Sequence, residues 1–436
     1  MQKPSIRIIA AIIVLVMLPL GASFASGKQE AGEEAEVKEL VYHTPVHHFT
    51  TALKEKIPEF EAETGIKVTV NELPEEEFYK KTTIELSSGS PSFDIFLLNQ
   101  GFVGQYVDGG WVEPIMPYVN DPELTDKSAY DLEDYPQAAL ARPTYKDKLW
   151  AIPASVEPQI MFYRKDVLEQ GGLALPKNMD ALYEAAVKIK KADAGIAGVI
   201  NRLRRGAGSY WPWLGFVSNY KGTWVDENNN VGLTDPKTMQ ATEMYIKLLK
   251  DAGPETALNY GWYECLTGFQ QGKAAFLMDA NSWMAAFQDK EKSAVVGKVG
   301  ASVMPASPSG YIQAAGGASW MMAIPSQTAK KKAAWNFISW ATSKDVALHV
   351  AINGGDIARD STWSEPQFNE AYPFPDWIKA SQDTTNKYNS TYFLPYHPKM
   401  GAMGEIVDVT LQEIYIGNPL EEQLAKAEKE TKELLK

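Results

Sequence analysis

Three short apolar runs alternate with two stretches of helical period between residues 40 and 98, and few folds accommodate that alternation. Residues 40–44, 66–70 and 93–98 have strand length and β-rich composition. Between them Phe49, Leu53, Ile57 and Phe60 fall on one helical face, and a second helix is expected over 75–87. Thr64-Gly65 ends the first helix, because glycine takes the left-handed turn that follows a last helical residue. Strands joined through helices lie parallel with right-handed crossovers, so the fold class is α/β. After residues 149–153 the pattern restarts, with strands at 161–163 and 196–200 and helices at 180–191 and 236–251. A second α/β body is therefore expected.

The run Ala274-Ala275-Phe276-Leu277-Met278 reads as a strand buried on both faces. It leads into Asp279-Ala280-Asn281-Ser282-Trp283. Ligands of open α/β sheets sit at such carboxyl ends. The competing reading is a capped helix start, with Asp279, Asn281 or Ser282 as cap and Trp283 in the core. Ser209-Tyr210-Trp211-Pro212-Trp213 is dense in rings and too irregular for an amphipathic helix, which suits a pocket wall or plain core. Residues 225–233 read as a hairpin tip; Val231 and Lys237 replace the Gly and Glu of a calcium loop, so calcium is rejected there. At the C-terminus, Asn418 as cap with Pro419 and Glu421 behind it predicts a final helix.

The N-terminal 25 residues read as a targeting segment: Lys3 and Arg7, an apolar run of eleven from Ile8 to Leu18, then Ser23-Phe24-Ala25. Eleven helical residues rise only ~16 Å against a hydrocarbon layer of ~30 Å. Residues 26–37 read as a polar, acidic tether. Without residues 1–25, 40 of the 42 basic residues face 55 acidic ones, a net charge of −15. That balance disfavours nucleic acid, whose recognition rewards clustered Lys and Arg. Arg202, Arg204 and Arg205 form the one notable basic knot, read as a solvated loop. The single cysteine, Cys265, allows no internal disulfide and reads as a buried, idle thiol.

Signals for catalysis are poor: there is no Gly-x-Ser-x-Gly elbow, His-Glu-x-x-His, Cys-x-x-Cys or phosphate-cradling loop. His43, His47 and His48 lack a fourth ligand or carboxylate spacing for zinc, so no metal and no cofactor is expected.

The ordered motifs resemble the extracellular solute-binding proteins of ABC importers, in the carbohydrate-binding family that includes maltose-binding proteins. Phe60-Glu61 through Thr64-Gly65-Ile66 and Val68, Asp94-Ile95-Phe96 through Gly110-Trp111-Val112-Glu113-Pro114-Ile115, and Trp150-Ala151-Ile152-Pro153 carry the first part. Phe162-Tyr163-Arg164-Lys165-Asp166, Phe269 with Gly272-Lys273-Ala274-Ala275 and Trp283, then Gly316-Gly317, Ala334-Trp335, Phe337 and Arg359 complete it. The resemblance implies a two-lobed periplasmic-binding-protein fold with three inter-lobe crossings. Here the first lobe would hold 38–153 and 307–354, and the second 158–299 and 361–436, with hinges near 154–157, 300–306 and 355–360.

It implies a monomer, exported to the periplasm or cell exterior, that captures a sugar or polyol between its lobes and delivers it to membrane permease subunits. By position it implies contacts from His43, His47, Asn99, Gln100, Glu157, Tyr210, Trp211, Trp213, Asp279, Trp283, Gly317, Asp356 and Arg359. Ala318 and the segment around Met403-Gly404 lack aromatics found in maltose-binding relatives, which argues against copying a maltodextrin preference. Alternatives are another cargo (glycerol phosphate, peptide or metal) or a secreted glycoside hydrolase using Glu157 and Asp279.

Overall fold

The strands fall into two main sheets, each carrying its own apolar core. In this computed structural model the described residues are 37–226, 228–314, 318–388 and 398–436. The targeting segment and the tether lie outside them, apart from Val37. The strands are β1 (Glu39–Pro45), β2 (Lys67–Leu73), β3 (Ile95–Asn99), β4 (Thr144–Tyr145), β5 (Lys148–Leu149), β6 (Ile152–Glu157), β7 (Gln159–Arg164), β8 (Ala197–Ile200), β9 (Ala274–Ala280), β10 (Val299–Ser302) and β11 (Ala318–Ala323). The first sheet runs β2-β1-β3-β11-β6 and the second β10-β7-β9-β8, with β4 and β5 as a separate hairpin.

The expected parallel start is present: β1 pairs in parallel with β2 and β3. Both sheets are nevertheless mixed, because β11 joins β3 and β6 antiparallel and β7 joins β9 antiparallel. The chain makes these antiparallel pairs where it passes from one sheet to the other. Glu157 ends β6 and Gln159 begins β7 in the other sheet. The chain returns between β10 and β11, then leaves again after the helix Lys344–Gly354. At this last crossing Ile357 packs into the second core and Ala358 into the first.

The first helix spans His48–Thr64, and Gly65 takes φ 71° with its N–H on the Glu61 carbonyl, as its sequence required. All seven residues of β9 are buried. Cys265 is buried, and burial pushes its thiol well up. The ring-rich segment departs from expectation, since Tyr210–Asn219 is an α-helix. Its residues from Trp211 to Asn219 are all buried, and a helix enclosed all round shows no amphipathic period. Pro212 falls in its first turn, where the missing N–H costs no helical bond. The final helix spans Leu420–Leu435 with Pro419 at its cap. Asn418 does not cap it; its amide donates to Glu413 on the preceding helix at 2.5 Å.

Gly198 in β8 lies under the helix Met179–Ala192, where a Cβ would come 2.0 Å from the Ala186 carbonyl oxygen. Gly198→Ala is expected to lower stability by about 2 kcal/mol or more, since backbone on both sides must move. Urea unfolding of the variant, read as a shift in midpoint at unchanged slope, checks this.

Candidate functional site

Between the two sheets lies a cavity of about 800 Å³. Its first-sheet side presents a train of rings. Tyr79 stacks on Phe102 at 4.6 Å and lies parallel to Trp320 at 6.1 Å, and Trp320 meets the His47 ring at 5.1 Å. Its second-sheet side presents Tyr210, Trp211 and Trp283.

Arg202 holds the second wall together. Its guanidinium sits 5.0 Å from the Trp211 ring centre and 5.6 Å from that of Trp283. Two bonds run from it to Asp279, Nε to Oδ2 at 2.8 Å and Nη2 to Oδ1 at 2.5 Å. Asp279 is fully buried. Burial pushes its carboxyl up, while the guanidinium fork works to keep it ionised. Asp279, Asn281 and Ser282 therefore do not cap a helix. Asn281 donates to Ser381 at 3.1 Å and Ser282 to Glu157 at 3.1 Å.

The polar floor comes mostly from the first sheet. His47 caps the first helix, its Nδ1 accepting the Phe49 N–H at 3.2 Å. Its Nε2 lies 3.6 Å from Glu157 and its Nδ1 4.0 Å from Asp356. On distance alone His47, Glu157 and Asp356 could surround a metal ion. The Phe49 N–H on Nδ1 instead places the neutral ring's proton on Nε2, facing Glu157, so the trio is suited to a proton. Asn99 accepts the Gly101 N–H at 2.9 Å. Gln100 is buried with neither amide atom bonded among the described residues. Its donors and acceptor are thus available to a ligand. Glu75 accepts the Tyr79 hydroxyl at 2.7 Å, and burial pushes its carboxyl up.

Of the positions singled out in the sequence, His47, Asn99, Gln100, Glu157, Tyr210, Trp211 and Trp283 line the cavity. Asp279 and Asp356 stand directly behind it, the former under Arg202 and the latter behind His47. His43 does not reach it: the ring lies between Phe78 and Phe93 at 4.8 and 4.7 Å and meets Thr82 at 3.1 Å. Burial pushes the His43 pKa down to about 4.

Trp213 is core, donating to Thr242 at 2.9 Å. Two positions along a helix turn a side chain through ~200°, so Trp211 and Trp213 cannot share a face. Arg359 is fully buried in the first body, donating to the Thr342, Asp131 and Tyr130 carbonyls at 2.8, 3.0 and 2.9 Å. Gly317 lies outside the described residues.

Sequence reasoning missed Glu75, Tyr79, Phe102 and Trp320, and read the Arg202 knot as solvated. Arg202 is instead enclosed, whereas Arg204 and Arg205 are at the surface as expected, paired with Glu264 at 2.8 Å and Glu405 at 2.5 Å. Only the i, i+4 spacing of Glu75 and Tyr79 on a predicted helix hinted at a paired site. Asp408, on the helix Met400–Tyr415, accepts the Tyr210 N–H at 2.7 Å and so caps the ring-bearing helix from outside it. On the same helix, a Cβ at Gly404 would strike the Tyr210 ring at 2.6 Å. A side chain at Gly404 would therefore displace Tyr210.

Two predictions follow from these buried charges. Arg202→Met strands the Asp279 carboxylate and should cost about 3–5 kcal/mol in chemical unfolding; adding Asp279→Leu should recover most of it. Burial pushes Asp408 up to about 7, above its unfolded value, so its contribution to stability is full in acid and is lost as pH rises towards 7. Asp408→Asn keeps the acceptor for Tyr210 and should shrink the stability difference between pH 4 and pH 8 by on the order of 3 kcal/mol. Thermal melts across that range read it.

The chain is 26% identical over 356 residues to the erythritol/L-threitol-binding protein of Mycolicibacterium smegmatis, covering 78% of this chain and 73% of the relative. It is 29% identical over 314 residues to the mannitol-binding protein of Pseudomonas aeruginosa, covering 69% of each. Its fold matches an ABC transporter solute-binding protein of Agrobacterium radiobacter, solved with ribitol, at a TM-score of 0.85 and 23% identity, over 92% of this chain and 100% of that one. Residues 48–348 match the family model for bacterial extracellular solute-binding proteins. By its two-lobed α/β fold and by that match, the chain belongs to the bacterial extracellular solute-binding protein family.

Proposed function

We propose that this protein captures a polyol or small sugar in the cavity between its two sheets and delivers it to the permease of an ABC importer, without transforming it. The observation that carries the reading is the pairing of ring walls on both sides with a buried polar floor. Sugar and polyol carbon faces lie on indole and phenol rings, while each hydroxyl needs a fixed donor or acceptor. Trp283, Trp211, Tyr210, Tyr79 and Trp320 supply the faces; Glu157, His47, Gln100 and Asn99 supply the partners. Relatives named for erythritol, L-threitol and mannitol, and a fold neighbour solved with ribitol, support an acyclic polyol among the candidates.

Micromolar capture needs ~8 kcal/mol, within reach of two ring contacts of ~1 kcal/mol beyond their buried area plus several hydrogen bonds. A phosphorylated cargo fits less well, since Arg202, Arg204 and Arg205 each already engage a carboxylate. Hydrolysis by Glu157 and Asp279 also fits poorly. Asp279 is held in the Arg202 fork behind the wall, and Glu157 is held low: burial raises its carboxyl, but the His47 ring outweighs it. A general acid needs the opposite shift. The three sheet-to-sheet crossings would form the hinge, with lobes divided near 154–157, 300–306 and 355–360. A monomer working outside the cytoplasmic membrane suits this role.

The test is a ligand panel of erythritol, ribitol, D-mannitol, D-glucose and maltose, read by thermal shift, calorimetry and product analysis. A ligand at 100 times its Kd should stabilise by ~2.7 kcal/mol with no product formed. Silence across the panel, or turnover, overturns the reading. Trp283→Ala should stay folded and bind at least about tenfold more weakly, the cost of one lost stacking face with its buried area.

A further inference from the structure

We infer that Asp356, which does not line the cavity, is a positioning residue for it: with Glu157 it keeps His47 as an imidazolium, and the cavity takes its ligand in that protonated form. The inference rests on the reading of this cavity as the ligand site.

The three groups come from three separate stretches of chain. His47 stands at the start of the first helix, Glu157 at the end of β6, and Asp356 just past the helix Lys344–Gly354. The last two are crossings between the sheets, and Ser282 of the second body donates to Glu157. The side chains are 8, 10 and 0% exposed for His47, Glu157 and Asp356. Asp356 Oδ1 accepts the Ser155 hydroxyl at 2.7 Å, while Oδ2 accepts from no side chain among the described residues and is faced by the Phe49 backbone N–H. His47 Nδ1 is the nitrogen facing that oxygen, at 4.0 Å.

With a neutral ring, two carboxylates share an enclosed site with no positive charge between them. Like charges at such range repel strongly where water is scarce. A proton on His47 gives the ring two N–H groups. One faces Glu157; the other, Nδ1–H, can no longer accept from Phe49 and donates to Asp356, and the Phe49 N–H is left to the same carboxylate, which it already faces. Glu157 then keeps its charge and accepts from a ligand hydroxyl, while the imidazolium donates.

His48, on the same helix, is kept neutral because burial pushes its pKa down to about 4. Glu75, on the helix Glu75–Ser87, adds negative charge and is answered by Tyr79 and, more distantly, Arg202. Tyr372 faces Asp356 and stays neutral, its pKa raised by burial. Burial opposes a charge on His47, yet Asp356 and Glu157 outweigh it and hold its pKa above the ordinary value. Burial pushes Asp356 itself up to about 7, so the trio binds its protons as a unit. The sign is fixed by the raised His47 pKa: capture is strongest below it and is lost as pH rises through it. Once pH exceeds that pKa, each further unit should weaken binding about tenfold if only the protonated form binds.

Imidazole NMR of the free protein tests the charge directly. The chain has five histidines, and His47→Gln assigns the signal. Calorimetry with whichever panel polyol binds, from pH 5.5 to 9, tests the consequence. In the wild type, His47 should titrate above the ordinary histidine range and the fall in affinity should share its midpoint. Asp356→Asn, checked for folding by circular dichroism, should move both midpoints down together. An ordinary or lowered His47 titration overturns the inference even if no panel ligand binds. Affinity that stays flat through the His47 titration overturns it while leaving the ligand site intact. Midpoints unmoved by Asp356→Asn overturn the role given to Asp356.

Discussion

The guanidinium of Arg202, clamped on the buried carboxylate of Asp279, is the contact on which the second wall of the cavity depends. Asp279 falls near the end of β9, a strand with no exposed residue, so its position is set by the sheet core. The fork transmits that position to Arg202, whose flat face then lies against both Trp211 and Trp283. A planar cation with two fixed donors does this as a lysine could not. The pair is costly to bury, and its two matched hydrogen bonds are what make the burial tolerable.

The first wall uses a different device. There the rings of Phe102, Tyr79 and Trp320 support one another through stacking, and the polar groups gather where the chain changes sheet. Glu157 is approached from the first helix side by His47 at 3.6 Å and accepts a hydrogen bond from Ser282 of the second body. One carboxylate thus registers the relative placement of the two bodies.

Much of the fold was legible in residues whose signals are local. Gly65 ended a helix as a left-handed residue must, and β9 was readable as a doubly buried strand. The ring-rich helix was not, because a helix buried all round has no polar face to betray its period, and its cap, Asp408, arrives from 198 residues away. The site divided the same way. Glu157 and Trp283 could be singled out from position in an ordered series of motifs. Trp213 and Arg359 were implied by the same resemblance, yet the helical twist turned one inward, and three backbone carbonyls with the Asp134 carboxylate hold the other.

By itself the sequence determined the α/β class, the restart of the pattern into a second body and the acidic balance. Those properties follow from periodicity and composition, which act over a few residues at a time. Only the tertiary structure decided which polar groups face the cavity and which serve the frame. Asp279, Asp356 and His43 are equally plausible contacts on paper. In the fold the first grips Arg202, the second stands behind His47 and the third is packed between two phenylalanines. A side chain's role depends on the partners that distant segments bring within about 3–4 Å of it, the range over which hydrogen bonds and ion pairs act.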